Sequence, residues 1–212
     1  MRSWYALLFG ILAVSAAAQE KHVPRVVLVG DSIRIGYAPF VAKLLDGKAI
    51  VISPSPNGED SGNVLRNLDQ WVLNEKPDVV HINAGLHDLK LKDNSYQVPL
   101  VEYEKNLKTI VERIRTGTKA KIIFATSTPI VDSLHARRKA GFDRFEADVQ
   151  KYNIAAVAIM KQAGVPINDL HTLVEDGGKD RLMLGDGTHY TEPGYEIMAT
   201  AVTKSILVRL RQ

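Results

Sequence analysis

A serine hydroxyl attacks an ester only when an imidazole takes its proton and a carboxylate holds that imidazole in the right tautomer. This chain of 212 residues offers that set in two places. Ser32 follows an apolar run directly, in Gly30-Asp31-Ser32, and Asp186 and His189 stand three apart in Asp186-Gly187-Thr188-His189. In a single turn that spacing lets both side chains point the same way. Taken singly, Ser32 reads equally as a turn or N-cap serine. Asp186 and His189 alone read as a turn Asp and a surface His. Only the combination points to acyl transfer.

The elements that must position these residues are legible as alternating runs. Strands are predicted at Val26–Val29, Ala49–Ser53, Val79–Asn83, Lys121–Thr126 and Val165–Asp169. Helices are predicted at Tyr37–Leu45, Val64–Asn74, Leu100–Arg115, Phe142–Ala163 and Pro193–Leu210, the last with Thr191 as N-cap and Pro193 in its first turn. Tyr103, Leu107, Ile110, Val111 and Ile114 recur at the 3–4 spacing of one helix face. Continuous apolar strands separated by helices imply an α/β fold, a parallel sheet covered on both faces in a three-layer sandwich. In such sheets ligands bind beyond the carboxyl ends of the strands, near the switch in strand order. Polar, glycine-containing turns stand there: Gly30–Ile33, Ser53–Ser61 and Ala84–Asp88, with Asp186–His189 before the last helix.

Composition excludes several alternatives. With 45% hydrophobic residues and a net charge of +3, the chain is neither disordered nor repetitive, and its length suits one domain. It has no Cys, so disulfides, thiolate metal sites and Cys nucleophiles are excluded. Lys and Arg are dispersed among nearly as many acids, and the densest cluster is Arg137-Arg138-Lys139. No nucleic-acid partner is expected without a basic stripe on one face. Nothing matches H-E-x-x-H, G-x-x-x-x-G-K-[ST] or G-x-S-x-G, so no metal, no cofactor and no ordinary α/β-hydrolase elbow is expected.

Gly30-Asp31-Ser32, a Gly in the second block, Gly85-x-x-Asp88 in the third and Asp186-x-x-His189 near the end resemble the SGNH (GDSL-type) hydrolases in order and spacing. The resemblance runs from Val26 to the final helix. It implies a flavodoxin-like α/β/α sandwich with a five-stranded parallel sheet. It implies Ser32 as nucleophile, His189 as base and then acid, and Asp186 as the orienting carboxylate. It also implies an oxyanion hole built from the backbone N–H groups of Ser32 and Gly58 and a side chain from the third block. Gly58 is preferred to Gly62 because it lies nearer the strand end, in the tight Asn57-Gly58 turn. One position departs from the pattern: the family's Asn before Asp88 is here His87. An imidazole N–H can replace that donor, the hole can have lost a member, or His87 can be a loop residue bonded to backbone.

Other residues carry more than one reading. Asp31 and Asp88 are expected to brace their turns, and Asn63 to cap the second helix. Asn83 could supply an amide but is expected within its strand. Arg34 suits either an anionic substrate group or a salt bridge within the fold. The segment Pro129–Arg144 follows the fourth strand and is expected to overhang the cleft, with its charges on a solvated face. His22, His81 and His171 have no evident chemical partner.

At the N-terminus Met1-Arg2-Ser3 precedes an apolar run from Trp4 to Val14 and then Ala16-Ala17-Ala18. A basic start, a short apolar stretch and a small-residue site describe a secretory signal peptide over residues 1–18, with the single domain over residues 19–212. The run is too short for a membrane span, so no membrane anchor is expected after cleavage. The expected protein is exported, periplasmic or secreted. Its expected activity is that of a serine esterase, with O-acetyl groups on carbohydrates as the leading substrate and a small-molecule or polysaccharide ester as the partner. A lysophospholipase or thioesterase acting on longer acyl chains, acyl transfer to a sugar, and a carbohydrate-binding pseudoenzyme remain the alternatives.

Overall fold

The computed structural model describes residues 22–212, so the signal-peptide reading of residues 1–18 lies outside the described residues. In chain order the elements are β1 (Arg25–Val29), α1 (Ser32–Leu44), β2 (Ile50–Ile52), α2 (Ser61–Arg66), α3 (Leu68–Trp71), a 3₁₀ turn (Leu73–Glu75) and β3 (Val79–Ile82). A hairpin follows, β4 (Leu91–Lys92) with β5 (Ser95–Tyr96), then α4 (Leu100–Gly117) and β6 (Lys121–Ala125). The chain continues through α5 (Asp132–Arg137), α6 (Glu146–Gln162), β7 (Ile167–Asn168), α7 (Leu170–Asp176), α8 (Lys179–Leu182) and α9 (Glu192–Leu210).

Five strands form one parallel sheet in the order β2-β1-β3-β6-β7. From β1 the chain moves outward to β2, then returns across β1 to β3 and continues the other way. The switch point therefore lies between β1 and β3, and the Gly30–Ser32 and Ala84–Asp88 turns leave the sheet on either side of it. Helices α1 and α9 pack together on one face, while α4 packs between α2 and α6 on the other. Val26, Val27, Leu28 and Val29 are all buried, as both covered faces require. Tyr103, Leu107, Ile110, Val111 and Ile114 of α4 are buried as their spacing predicts.

Three helix boundaries differ from the sequence expectation. Helix α1 begins at Ser32, not Tyr37, because Asp31 caps it through the Ile33 N–H at 2.9 Å. Gly36 masks those first turns by its low helix propensity, and packing on α9 overrides it. Helix α6 begins at Glu146, not Phe142. Residues 142–145 lead up to it, and Asp143 pairs with Leu91 through backbone bonds of 2.8 and 2.9 Å. The second helix breaks into α2, α3 and the 3₁₀ turn, and starts at Ser61 with Asp60 as its cap.

Candidate active site

Ser32 is the first residue of α1, where N–H groups have no intrahelical acceptor and the helix presents its positive end. Its Oγ lies 2.8 Å from His189 Nε2, and His189 Nδ1 lies 2.6 Å from Asp186 Oδ2. The other Asp186 oxygen accepts the backbone N–H groups of Thr188 and His189, each at 2.9 Å. Burial opposes ionisation of Asp186, but the hydrogen bonds from the His189 and Thr188 N–H groups and the imidazole outweigh it and hold the carboxyl down to about 2. Gly187 allows this turn at a φ of 70°, and a Cβ there would stand 2.7 Å from His135 N and Val131 O. A hydroxyl, an imidazole and a carboxylate are thus aligned in the order that general-base activation requires.

The second block is clamped to the end of β1. The Arg34 guanidinium donates to Gly30 O, Ser53 Oγ, Pro54 O and Pro56 O at 2.7–3.3 Å. Neither expected role for Arg34 is found: it meets carbonyls and a hydroxyl, not a carboxylate, and nothing remains for a substrate anion. Gly58 sits against the same carbonyl, with its N–H donating to Gly30 O at 3.0 Å, and a Cβ would come within 2.6 Å of that oxygen. The N–H expected in the oxyanion hole is therefore engaged within the protein. Asn63 does not cap α2. Asp60 does, accepting Asn63 N–H at 2.8 Å, while the Asn63 amide donates to Gly58 O at 3.2 Å.

Asp88 joins the third block to the second. It accepts the Ser61 N–H at 2.9 Å and the Ser61 hydroxyl, whose oxygen accepts from the Asn106 amide at 3.0 Å. Burial pushes the Asp88 carboxyl up to about 6, against the opposing pull of the Ser61 bonds. Asn83 leaves β3 and donates to Ala125 O at 2.9 Å, so its amide braces the sheet edge. His87 is half-buried, and its Nδ1 is enclosed with no partner. Burial lowers its pKa to about 3, and the charges of Lys90 and Arg144 add to the effect, so the ring is neutral.

The remaining histidines find structural partners. His22 meets Asp78 at 2.9 Å, His171 meets Glu146 at 2.7 Å, and His81 in the middle of the sheet meets the Asn168 amide at 3.1 Å. Glu146, His171 and Glu175 place three ligand atoms close together. Those charges are already paired, His171 with Glu146 and Lys179 with Glu175.

The segment Pro129–Arg144, expected over the cleft, contacts the turn that carries Asp186 and His189. Val131 N–H donates to Gly187 O at 3.0 Å, His135 Nδ1 lies 3.4 Å from Thr188 Oγ1, and Arg138 Nη1 lies 3.7 Å from Asp186 Oδ2. Its charges are not all solvated. Arg144 is only 4% exposed, which no spacing in the sequence announces, because its place depends on the Leu91–Asp143 pairing.

Residues 28–197 match the model of the GDSL-like lipase/acylhydrolase family. The isoamyl acetate-hydrolyzing esterase 1 homolog of Rattus norvegicus is 27% identical over 194 residues, covering 82% of this chain and 78% of that protein. The lipase/acylhydrolase from Enterococcus faecalis superposes with a TM-score of 0.76 at 23% identity, covering 88% of this chain and 97% of that one. An acetylxylan esterase from Geobacillus stearothermophilus superposes with a TM-score of 0.68 at 20% identity, covering 86% of this chain and 94% of that one. The chain belongs to the GDSL-like lipase/acylhydrolase family and has its SGNH α/β/α fold. It is a carboxylic ester hydrolase.

Proposed function

We propose that this protein is an exported serine esterase that removes short acyl groups, foremost O-acetyl groups on carbohydrates, through an acyl-enzyme. The observation that carries the reading is the unbroken chain Ser32 Oγ, His189, Asp186 at 2.8 and 2.6 Å. Ser32 Oγ attacks the ester carbonyl while His189 Nε2 takes its proton. Asp186, ionised at neutral pH, fixes the tautomer and stabilises the imidazolium. The oxyanion is met by the Ser32 N–H and by Nε2–H of neutral His87, with Gly58 shaping the hole through its contact with Gly30 rather than through a free donor. His189 then protonates the departing alcohol, and water activated by the same imidazole releases the acid.

Acetate is favoured because the names of two similar proteins, an isoamyl acetate-hydrolyzing esterase homolog and an acetylxylan esterase, refer to acetyl esters. The test compares 4-nitrophenyl acetate with 4-nitrophenyl octanoate, with Ser32→Ala alongside. Acetate hydrolysis that is faster than octanoate hydrolysis and vanishes in the variant is the expected result. Preference for octanoate moves the assignment to lipid or thioester substrates, and silence of the folded protein on both esters contradicts the short-acyl esterase. Export rests on the run Trp4–Val14 and Ala16-Ala17-Ala18. It predicts a mature chain beginning at Gln19 outside the cytoplasm, and intact-mass measurement of a cytoplasmic protein retaining residues 1–18 would contradict it.

A further inference from the structure

One buried cation beside the site forms no ion pair among the described residues. Arg144 is 4% exposed, its Nε has no hydrogen-bond partner, and no carboxylate among the described residues reaches ion-pair distance of it. Its guanidinium rests on the Phe142 ring at 5.0 Å, and the Lys90 ammonium lies over the same ring at 5.0 Å. Phe142 in turn stacks on His135 at 5.5 Å, and His135 reaches the Thr188 hydroxyl beside His189. The pairing of Asp143 with Leu91 fixes the segment that carries Arg144 against the hairpin following His87 and Asp88. Two cations are thus gathered over one aromatic ring, between the His87 block and the His189 turn.

Burying a charge without a partner is costly, and native proteins keep such a group where something compensates it. We propose that Arg144, supported by Lys90, is the receptor for an anionic group of the substrate, so that the preferred ester carries a carboxylate or phosphate besides the bond that is cleaved. This rests on the serine-esterase reading. The guanidinium presents a planar fork that matches either oxyanion in two parallel hydrogen bonds. Burial lowers its pKa to about 10, which leaves it cationic at neutral pH. Its charge acts on Asp31, His87 and Asp186, which ties it to the residues around the catalytic-type turn. The competing role is structural: Arg144 offsets the buried Asp31 carboxyl, whose pKa burial raises while the Ile33 N–H and the Arg144 charge pull it down.

Two matched pairs of esters separate these roles and the two kinds of anion. Mono-4-nitrophenyl glutarate against 4-nitrophenyl pentanoate tests a carboxylate on the acyl side. 2-Acetoxyethyl phosphate against 2-methoxyethyl acetate tests a phosphate on the alcohol side. The readout is the ratio of kcat/KM, anionic over neutral, in the wild type, Arg144→Gln and Arg144→Lys, with Ser32→Ala as background. In at least one pair the wild-type ratio is expected to reach about tenfold or more, to collapse to about one in Arg144→Gln and to survive in part in Arg144→Lys, which keeps the charge but loses the fork. A purely structural arginine lowers both members of a pair together and leaves the ratio unchanged, which overturns the proposal. A wild-type ratio near one in both pairs overturns it as well, whether or not Arg144→Gln folds. If none of the four esters is cleaved in a Ser32-dependent way, the esterase reading falls and this inference with it.

Discussion

Replacing His189 by Ala lowers kcat for 4-nitrophenyl acetate by about three orders of magnitude or more and leaves KM nearly unchanged. Among the described residues the imidazole is the only base within hydrogen-bonding distance of Ser32 Oγ, at 2.8 Å. Without it the hydroxyl keeps its proton, and the leaving alkoxide receives none. Members of such a triad act as a unit, so removing one forfeits most of the acceleration that the set provides. The fold does not depend on the ring. The Asp186 turn is still closed by backbone N–H groups from Thr188 and residue 189, and the residue 189 carbonyl still accepts from Leu184 at 2.7 Å. Steady-state kinetics beside a thermal melt separates the two effects, and retention of more than a few percent of wild-type kcat would show that another group is the base. The pH profile adds a second check. A carboxyl held down to about 2 stays charged as pH falls through 6, 5 and 4. Loss of activity in that window therefore does not report protonation of Asp186.

The parts of this enzyme visible in its sequence are those fixed by local patterning. The buried runs Val26–Val29, Val79–Ile82 and Lys121–Ala125 read as strands because both faces of a parallel sheet must be apolar, and all five expected strands join one sheet. Ser32 after the first strand and Asp186-x-x-His189 before the last helix are legible as a combination of the three types that acyl transfer needs, in the block order that resembles the family's. What remained hidden depends on distant partners. The Ser32 turn of α1 is obscured by Gly36, and it stands because α9 packs along α1. Arg34 suits an anionic substrate group or a salt bridge by its sequence position, yet its whole guanidinium binds Gly30 and the Ser53–Pro56 loop, a neighbour only in the folded sheet. Arg144 reads as solvated and is buried, because the Leu91–Asp143 pairing draws its segment inward. Gly58 was expected to lend an N–H to the oxyanion, but the close approach that makes glycine necessary there also gives that N–H to Gly30.

His87→Ala is expected to lower kcat by about 10²–10³ with little change in KM, the usual cost of one oxyanion donor. His87→Asn, which restores an amide donor at the same place, is expected to stay within about tenfold of wild type. With the Gly58 N–H engaged by Gly30 O, the proposed hole keeps the Ser32 N–H as its backbone donor, and the third block's donor is expected to carry more of the charge that develops in the transition state. The ring suits that task. Its Nδ1 is enclosed without a partner, and burial together with the Lys90 and Arg144 charges lowers its pKa to about 3, so the ring is neutral. Because the folded pKa lies well below the ordinary histidine value, the ring stays neutral from pH 4 upward and its donor capacity does not change with pH. The pH profile of kcat/KM in His87→Asn must then superimpose on the wild-type profile, since the replaced group titrates outside the measured range. A displaced acid limb in His87→Asn would mean that the imidazole works in its charged form. Equal activity of wild type, His87→Ala and His87→Asn would place the imidazole outside the reaction altogether and leave the oxyanion to the positive end of α1.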